Sequence, residues 1–468
     1  MTHYEAWLPA LELAAAIRAK RISPVEIAEA ALARIEALNP RLNAFCLIAR
    51  DLALRDAREA EIAVAKGEPV GPLHGVPVSL KDVIFTRGLR TTGGSRLFAE
   101  AQPDEDAIAV GRLRAAGAVI LGKTNTSELG HKAVTESPLF GITRNPWNLA
   151  MTPGGSSGGA AAAVASGLGP IGLGTDGGGS LRIPAAFCGV YGFKPSWGRV
   201  PQHPSFPGWE HVGVSGPITR TVRDAALALD VIAGEDDRDR HSLPREGGSY
   251  VSACDDEIKG LHVAWTPDLG YATVDPAVQA ICENAAAEFE SLGCHVEVVS
   301  PGWEDCEEIF RTIVAAQFYA HWSEHLPAQE AELDPTLVKF IRRGGAISTR
   351  DYVLAMERVR AYWHEAQTFL SRFDVLLTPT TAVAPFPAGE SPPREIAGQD
   401  VSVLGWMPFT YPFNLTGQPA ASVPAGVTDD GLPVGLQIVG RRNADRTVLA
   451  ASAAYEAACP WSERRPEP

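Results

Sequence analysis

The sequence predicts an α/β protein on three observations. Apolar residues recur at helical spacing through most of the first 70 positions. Between about residues 71 and 235, short apolar runs alternate with helical stretches, and further apolar runs return after residue 373. Strands that alternate with helices are typical of a sheet covered by helices. With 468 residues, the chain is long enough to bury a sizeable core.

The N-terminal segment is predicted to be helical. Apolar residues recur at helical spacing twice, first at Leu11, Ala14 and Ile17 and then at Val25, Ile27, Ala31 and Ile35. Ser23-Pro24 supplies an N-cap residue and a proline at the first helical position. Asn39-Pro40 is expected to end this second helix. A charged third helix extends from about Asp51 to Lys66 and ends at Gly67.

Strands are expected at the apolar runs of the remaining chain. These runs are 76–80, 118–121, 171–174, 261–265, 295–299, 374–379 and 435–440. A helix is predicted over 276–292, and residues 307–373 are expected to be mostly helical. We therefore expect one domain over residues 1–468. Its predicted parts are a helical N-terminal segment (1–70), a catalytic core (about 71–235), a more helical insertion or subdomain (about 236–373) and a return to the core sheet (374–468).

Charge and composition exclude several classes of function. The formal net charge is −15, and an acidic chain repels phosphate backbones and anionic lipid surfaces. We therefore expect neither nucleic acid nor a membrane as a partner. The longest uncharged stretch, residues 145–175, is rich in Ala, Gly and Ser and is too weakly apolar to span a bilayer. The start of the chain lacks a signal-peptide pattern, which predicts a cytoplasmic protein.

The seven cysteines are scattered along the chain without a Cys-x-x-Cys pair. This distribution favours free thiols over a disulfide framework or a zinc site, so no metal site is predicted. Cys188 has wholly apolar neighbours, and we expect a buried, inert thiol there.

Two runs of glycine and serine stand out between residues 145 and 196. They are Pro153-Gly-Gly-Ser-Ser-Gly-Gly159 and Gly174-Thr-Asp-Gly-Gly-Gly-Ser180. Flexible loops are the simplest interpretation, but each run lies between apolar or helical segments, where close backbone approach is the commoner reason for glycine. A phosphate-binding loop is disfavoured, because neither GxxxxGK[ST] nor GxGxxG spacing is present. The remaining interpretation is acyl transfer, in which a serine attacks a carbonyl and backbone amides stabilise the oxyanion.

The candidate base for such a serine is a lysine rather than a histidine. No histidine lies in the two runs, and His74, His131 and His203 have no motif around them, so loop or surface positions are expected. A lysine can accept a proton when burial lowers its pKa. Lys81 emerges from the apolar run that begins at Gly75, an unusual position for a residue that normally prefers solvent.

These segments resemble the amidase signature family of serine hydrolases. The matching segments are 75–82, 154–159 and 174–185, and the similarity extends from Ser23 to Gly440. The resemblance implies a large mixed, twisted β-sheet with α-helices on both faces. It implies that Ser180 is the acylated nucleophile, that Ser156 is a bridging serine with a cis peptide bond, and that Lys81 is the terminal base. The same resemblance implies an oxyanion hole formed by the amides of Gly177, Gly178, Gly179 and Ser180.

Residues around these serines are expected to support the loop or to bind substrate. Asp176 and Arg182 flank the nucleophile and are expected to form an ion pair that braces its loop. Gly177 departs from the family pattern, in which a larger residue is usual, and the missing side chain is expected to add flexibility or room for substrate. Further candidates for substrate binding are Gly130, Ser157, Thr175, Trp406 and Met407.

The leading functional prediction is hydrolysis of an amide, anilide or carbamate of a mainly apolar small molecule, without a metal or other cofactor. A carbamate hydrolase is an alternative, because a carbamate differs from an amide only in the second heteroatom on the carbonyl. A second alternative is the glutaminase component of glutamyl-tRNA amidotransferase (its A-type chain), but the pattern of that protein has an aspartate where this chain has Met407. A non-enzymatic binding module is disfavoured, because Lys81, Ser156 and Ser180 are all present.

The aromatic run around Met407 favours an apolar substrate. Its members Trp406, Phe409, Tyr411 and Phe413 are expected to line the pocket, where apolar surface gains from burial and a substrate ammonium does not. We expect the chain to act on this small molecule as a monomer or homodimer.

Overall fold

The computed structural model describes residues 5–468, and its centre is a mixed β-sheet of eleven strands. Within these residues, the strands are β1 (Phe45–Ile48), β2 (Pro77–Lys81), β3 (Val119–Thr124), β4 (Glu136–Ser137), β5 (Gly141–Ile142), β6 (Ile171–Asp176), β7 (Tyr191–Lys194), β8 (Val214–Thr219), β9 (His262–Trp265), β10 (His295–Val298), β11 (Val375–Pro379), β12 (Glu395–Ile396), β13 (Gln399–Asp400), β14 (Ala420–Val427) and β15 (Pro433–Gly440). The hairpins β4–β5 and β12–β13 lie outside the large sheet.

The large sheet has the strand order β1-β3-β2-β6-β8-β7-β14-β15-β11-β9-β10. β2 lies between β3 and β6 and is parallel to both. β9 is parallel to β10 and β11, and the other neighbouring pairs are antiparallel. β14, from the C-terminal part of the chain, pairs directly with β7. The sheet is therefore continuous from the predicted catalytic core into the C-terminal segment.

Helices surround this sheet. Within residues 5–468 they are α1 (Ala10–Arg18), α2 (Pro24–Leu42), α3 (Arg50–Lys66), α4 (Ile108–Ala115), α5 (Gly158–Ala165), α6 (Arg182–Cys188), α7 (Val222–Ile232), α8 (Tyr250–Ala253), α9 (Pro276–Ser291), α10 (Glu307–Trp322), α11 (Leu326–Gln329), α12 (Pro335–Gly345), α13 (Thr349–Leu370), α14 (Pro412–Leu415) and α15 (Asp445–Ala458). None of the helices in this described part combines the length and the apolar character that a membrane crossing requires.

Both faces of the sheet are covered. Successive residues of a strand point to opposite faces, and all eight residues of β15 are buried. β10, at one edge, is mostly exposed. α5 packs against β2 and β6, while α6 packs against β7, β14 and β15. These two helices follow the two glycine- and serine-rich runs, so both runs lie beside the central strands.

The helices and strands expected from the sequence are present, but one helix boundary is in error, and strand β1 (Phe45–Ile48) interrupts the N-terminal segment that was predicted to be helical. Each of the apolar runs overlaps a strand of the large sheet, and Ser23 caps α2 through its side chain. α3 ends at Gly67, whose φ is 72°. The prediction that Asn39-Pro40 ends α2 is wrong, because the helix continues to Leu42. A proline near the end of a helix removes only one backbone donor, and the helix ends where Asn43 adopts a left-handed φ of 51°.

The cysteines are free thiols, as predicted. Cys188 lies in α6 with no exposed surface. Burial raises the pKa of its thiol well above the usual range, so the reactive thiolate is disfavoured. The predicted burial of Cys188 is confirmed.

Candidate active site

Lys81 is the last residue of β2 and lies inside the protein. All five residues of β2 are buried, and Lys81 has no exposed surface. Because β2 is parallel to β6, both strands end at the same edge of the sheet, where Lys81 Nζ is 2.8 Å from Thr175 Oγ1. Burial lowers the pKa of Lys81 to about 7, against the opposing effect of Asp176. A substantial fraction of the Lys81 side chains is therefore neutral near pH 7 and able to accept a proton.

Ser156 connects Lys81 to Ser180. Its Oγ is 2.7 Å from Lys81 Nζ and 2.9 Å from Ser180 Oγ. The Gly155–Ser156 peptide bond is cis, as the resemblance implied. A Cβ on Gly155 would lie 2.5 Å from the backbone carbonyl carbon of Val134, so only glycine fits this close approach. The first glycine- and serine-rich run is therefore tightly packed, and the flexible-loop interpretation does not hold for it.

Ser180 lies in the turn between β6 and α6, which is braced by a buried ion pair. Asp176 and Arg182 are both fully buried, with 2.9 Å between Asp176 Oδ1 and Arg182 Nη2. Asp176 also accepts hydrogen bonds from the amides of Gly179 and Leu181, at 2.7 and 3.1 Å. Burial alone would raise the pKa of Asp176, but the Arg182 guanidinium together with Lys194 and Asn414 outweighs burial and lowers it. The predicted ion pair and its bracing of the loop are confirmed.

Arg182 also ties this turn to distant parts of the chain. Its guanidinium donates to the Thr410 carbonyl oxygen at 2.9 Å, to Gln437 Oε1 at 2.8 Å and to Asn414 Oδ1 at 2.6 Å. Its Nε donates to Asp176 Oδ2 at 3.0 Å. Every guanidinium nitrogen therefore has an acceptor, which offsets the cost of burying the charge. Residues of β15 and α14 thereby help to position the serine turn.

We expect Arg182→Met to lower the free energy of unfolding by about 3–5 kcal/mol, because it leaves Asp176 as a buried charge without its partner. The shift of the urea midpoint at pH 7 measures this loss. Arg223→Met is the matched control, since Arg223 pairs with Asp255 on the surface, where their side chains are 42% and 66% exposed. That exposed pair is expected to contribute less than about 1 kcal/mol. Equal shifts in the two variants would contradict a stabilising role for the buried pair.

The backbone amides around Ser180 differ in whether they already donate a hydrogen bond within the protein. The Gly179 amide donates to Asp176. The amides of Gly177, Gly178 and Ser180 donate no hydrogen bond to another group within residues 5–468. These three residues also line cavities beside the serine. The geometry therefore leaves three of the four predicted oxyanion-hole amides available and commits that of Gly179 to the loop.

Two cavities open onto Ser180. The smaller has a volume of about 160 Å³, and the larger has a volume of about 770 Å³. Three residues line both cavities, namely Gly130, Ser180 and Trp209. Sequence-predicted residues that line only the smaller cavity are Ser156, Thr175 and Gly177. Those that line only the larger cavity are Gly178, Trp406 and Met407.

The space beside Gly177 is filled by Trp209. A Cβ on Gly177 would lie 2.3 Å from Cε3 of the Trp209 indole, closer than two carbon atoms can approach. The expectation that the missing side chain leaves room for substrate is therefore wrong, because an aromatic ring of this chain takes that room. Trp209 lies in the irregular segment between β7 and β8 and was not among the sequence-predicted residues. The unusual glycine at 177 is the one sequence signal that points to a bulky neighbour.

Other predicted residues do not contact either cavity. Ser157 is fully buried, and its hydroxyl bonds the backbone of Thr175. The expectation that the whole aromatic run lines the pocket is wrong, since three of its members lie in the hydrophobic core, namely Phe409, Tyr411 and Phe413. Only Trp406 and Met407 of this run reach the larger cavity.

Histidines do not take part in the contacts of the two serines. No histidine within residues 5–468 hydrogen-bonds to Ser156 or Ser180. Lys81 is the basic side chain that contacts this pair. In the same part of the chain, no group of three or more His, Cys, Asp or Glu residues is placed to hold a metal ion.

Known proteins resemble this chain over nearly its whole length. A family model described as Amidase matches residues 26–449. An acylamidase of Rhodococcus erythropolis is 42% identical over 98% of this chain and 97% of its own length. The A-type chain of a glutamyl-tRNA(Gln) amidotransferase, from Geotalea daltonii, is 36% identical over 97% of this chain and 98% of its own. The crystal structure of a bacterial aryl acylamidase superposes with a TM-score of 0.92 at 37% identity, covering 98% of this chain and 97% of that one.

Proposed function

The chain belongs to the amidase signature family and is an amidase, and from that premise we propose that it hydrolyses carboxamides of mainly apolar small molecules through an acyl-enzyme on Ser180. The observation that carries this proposal is the continuous series of contacts from Lys81 through Ser156 to Ser180, with distances of 2.7 and 2.9 Å. Covalent acyl transfer requires a nucleophile that can pass its proton to a base, either directly or through a second group.

In the first half of the proposed reaction, neutral Lys81 accepts a proton from Ser156 while Ser156 accepts one from Ser180. Ser180 Oγ forms a bond with the carbonyl carbon, and the carbonyl oxygen becomes an oxyanion. The amides of Gly177, Gly178 and Ser180 supply its hydrogen bonds. In comparable sites one such donor contributes about 3–4 kcal/mol to the transition state.

The leaving nitrogen then takes a proton from Ser156, which is reprotonated by Lys81, and the C–N bond breaks. The amine departs and the acyl group remains on Ser180 Oγ. A water molecule attacks the ester carbonyl carbon, and its proton passes through Ser156 to Lys81. When the bond between Ser180 Oγ and that carbon breaks, Lys81 returns the proton through Ser156 to Ser180 Oγ, and the carboxylic acid leaves. Both serines and the neutral lysine are restored, so the cycle balances in protons.

An apolar substrate is supported by the lining of the larger cavity. The apolar residues on its walls include Phe310, Val314, Leu404, Trp406 and Met407, and charged residues that include Glu136 and Glu390 also line it. Met407 stands where the amidotransferase pattern has an aspartate, so the cavity offers no carboxylate at that position for the amino group of glutamine. We therefore propose that the protein acts without a different partner subunit, as a monomer or homodimer.

We expect kcat/KM for an acyl anilide to exceed that for glutamine by roughly 70-fold or more. Burying about 100 Å² of additional apolar surface contributes about 2.5 kcal/mol at 25 cal/mol per Å², which corresponds to that ratio. Steady-state assays of an anilide, an aryl carbamate, an aliphatic amide and glutamine measure the preference.

The panel separates the proposed function from its alternatives. If kcat/KM is highest for the anilide or the aliphatic amide, the result supports an amidase that acts on apolar amides. A carbamate cleaved at least ten times faster than the matched amide would make carbamate hydrolysis the main activity, and glutamine cleaved fastest would point to the amidotransferase reaction instead.

A further inference from the structure

Trp209 stands where the two cavities meet at Ser180. Its ring lines both cavities, and it is only half-buried. The smaller and the larger cavity share only two other residues, Gly130 and Ser180. The indole therefore forms the side-chain boundary between two spaces that open onto the same nucleophile.

The ring is held in this position from three sides. Its Nε1–H donates a hydrogen bond to the Leu129 carbonyl oxygen at 3.0 Å. Phe318 packs edge-on against it, with ring centroids 5.3 Å apart and planes at 84°. On the third side lies Gly177, whose missing Cβ leaves the gap that the ring occupies. These contacts hold the indole in a defined position beside the serine turn, between the two cavities.

The two cavities differ in their access to the proton relay. Ser156 lines the smaller cavity, together with Thr175, and does not line the larger one. In the proposed function, the leaving nitrogen takes its proton from Ser156 Oγ, so it must lie within hydrogen-bonding distance of that atom. The amine part of the substrate therefore extends from the carbonyl carbon into the smaller cavity, and the acyl part extends into the larger one.

We infer that Trp209 is the specificity-determining residue that separates an amine chamber of about 160 Å³ from an acyl chamber of about 770 Å³. This inference rests on the proposed function. The predicted substrates are amides with two different parts. The amine part is compact and no larger than a single aromatic ring, and the acyl part is a long or bulky apolar group. The walls of the amine chamber limit the size of the leaving group, while the acyl group has several times more space.

Two pairs of probe substrates test this assignment. The amine pair is butyryl anilide and butyryl 2-naphthylamide, and the acyl pair is acetanilide and octananilide. In the wild-type protein we expect kcat/KM for the anilide to exceed that for the naphthylamide by about tenfold or more, a size discrimination of the order that pocket contacts give. We expect Trp209→Ala to bring this amine ratio within about threefold, and to change the ratio of the acyl pair by less than threefold.

Trp209→Phe keeps an aromatic ring of smaller size and guards against misfolding of the alanine variant. We expect it to shift the amine ratio in the same direction by a smaller factor. Trp363→Ala is the matched control, because Trp363 is a half-buried tryptophan of α13 that lines neither cavity. An unchanged amine ratio in both Trp209 variants, or a change confined to the acyl pair, would overturn the inference.

A double-mutant cycle tests the contact with Gly177 directly. Gly177→Ala places a methyl group into the indole ring, so we expect it to lower kcat/KM for butyryl anilide by at least tenfold in the wild-type background. In the Trp209→Ala background the ring is absent, and the same substitution should cost less than about threefold. Equal losses in the two backgrounds would contradict the assigned contact. A wild-type protein that cleaves no amide would instead refute the proposed function, so the two failures are distinguishable.

Discussion

Replacing Ser180 by alanine is expected to lower kcat/KM for an anilide by about a million-fold while the protein stays folded. The substitution removes the oxygen that would carry the acyl group, and loss of a nucleophile has a cost of this order in comparable hydrolases. Ser180 Oγ has Ser156 as its hydrogen-bond partner within residues 5–468, so little of the core depends on it. Steady-state kinetics measure the loss, and circular dichroism with a urea midpoint checks the fold. Intact-protein mass spectrometry should detect an acyl adduct on the wild type only.

Ser166→Ala is the matched control for this variant. Ser166 is a buried serine at the end of α5, and its hydroxyl has no hydrogen-bond partner in the described part of the chain. Its removal is expected to change kcat/KM less than about threefold. If Ser180→Ala retained more than about a hundredth of wild-type activity, Ser180 would not be the nucleophile.

For Lys81 we expect an acid limb in the pH profile that disappears with the residue. The neutral amine is the active form, and burial lowers its pKa to about 7. Below pH 7, kcat/KM should therefore fall tenfold per pH unit, and above about pH 8 it should reach a plateau. An exposed lysine would be neutral in only about one molecule in 3000 at pH 7, so the burial of Lys81 supplies the base. Lys81→Ala should lower the plateau by roughly a hundred- to ten-thousand-fold and flatten the limb.

Lys194 provides a control for the assignment of that limb. It is also fully buried, and this burial is the main cause that lowers its pKa to about 7, yet it contacts neither Ser156 nor Ser180. Titration of either lysine would thus give a limb at a similar pH. Lys194→Met should keep the limb that Lys81→Ala loses. If instead the limb vanished in Lys194→Met and persisted in Lys81→Ala, Lys81 would not be the base.

Much of the fold could be predicted because its signals are local. The spacing of apolar residues in α2 and α3, and the cap at Ser23, depend on neighbours within a turn or two of the chain. The two glycine- and serine-rich runs and the lysine at the end of β2 were likewise visible as patterns of adjacent residues. The end of α2 was misplaced because the cost of Pro40 competes with a left-handed cap at Asn43, and the sequence does not state which effect is larger.

The sequence by itself thus determined the elements, the family resemblance and the residue types needed for acyl transfer. Only the tertiary structure decided which of them meet, since Lys81 and Ser180 lie 75 and 24 positions from Ser156. It also decided that the Gly179 amide is committed to Asp176, and that Trp209 fills the gap beside Gly177. Hydrogen-bond partners, burial and the resulting pKa values depend on which distant segments pack together. Local periodicity carries no information about such contacts, least of all for a side chain in an irregular segment such as that of Trp209.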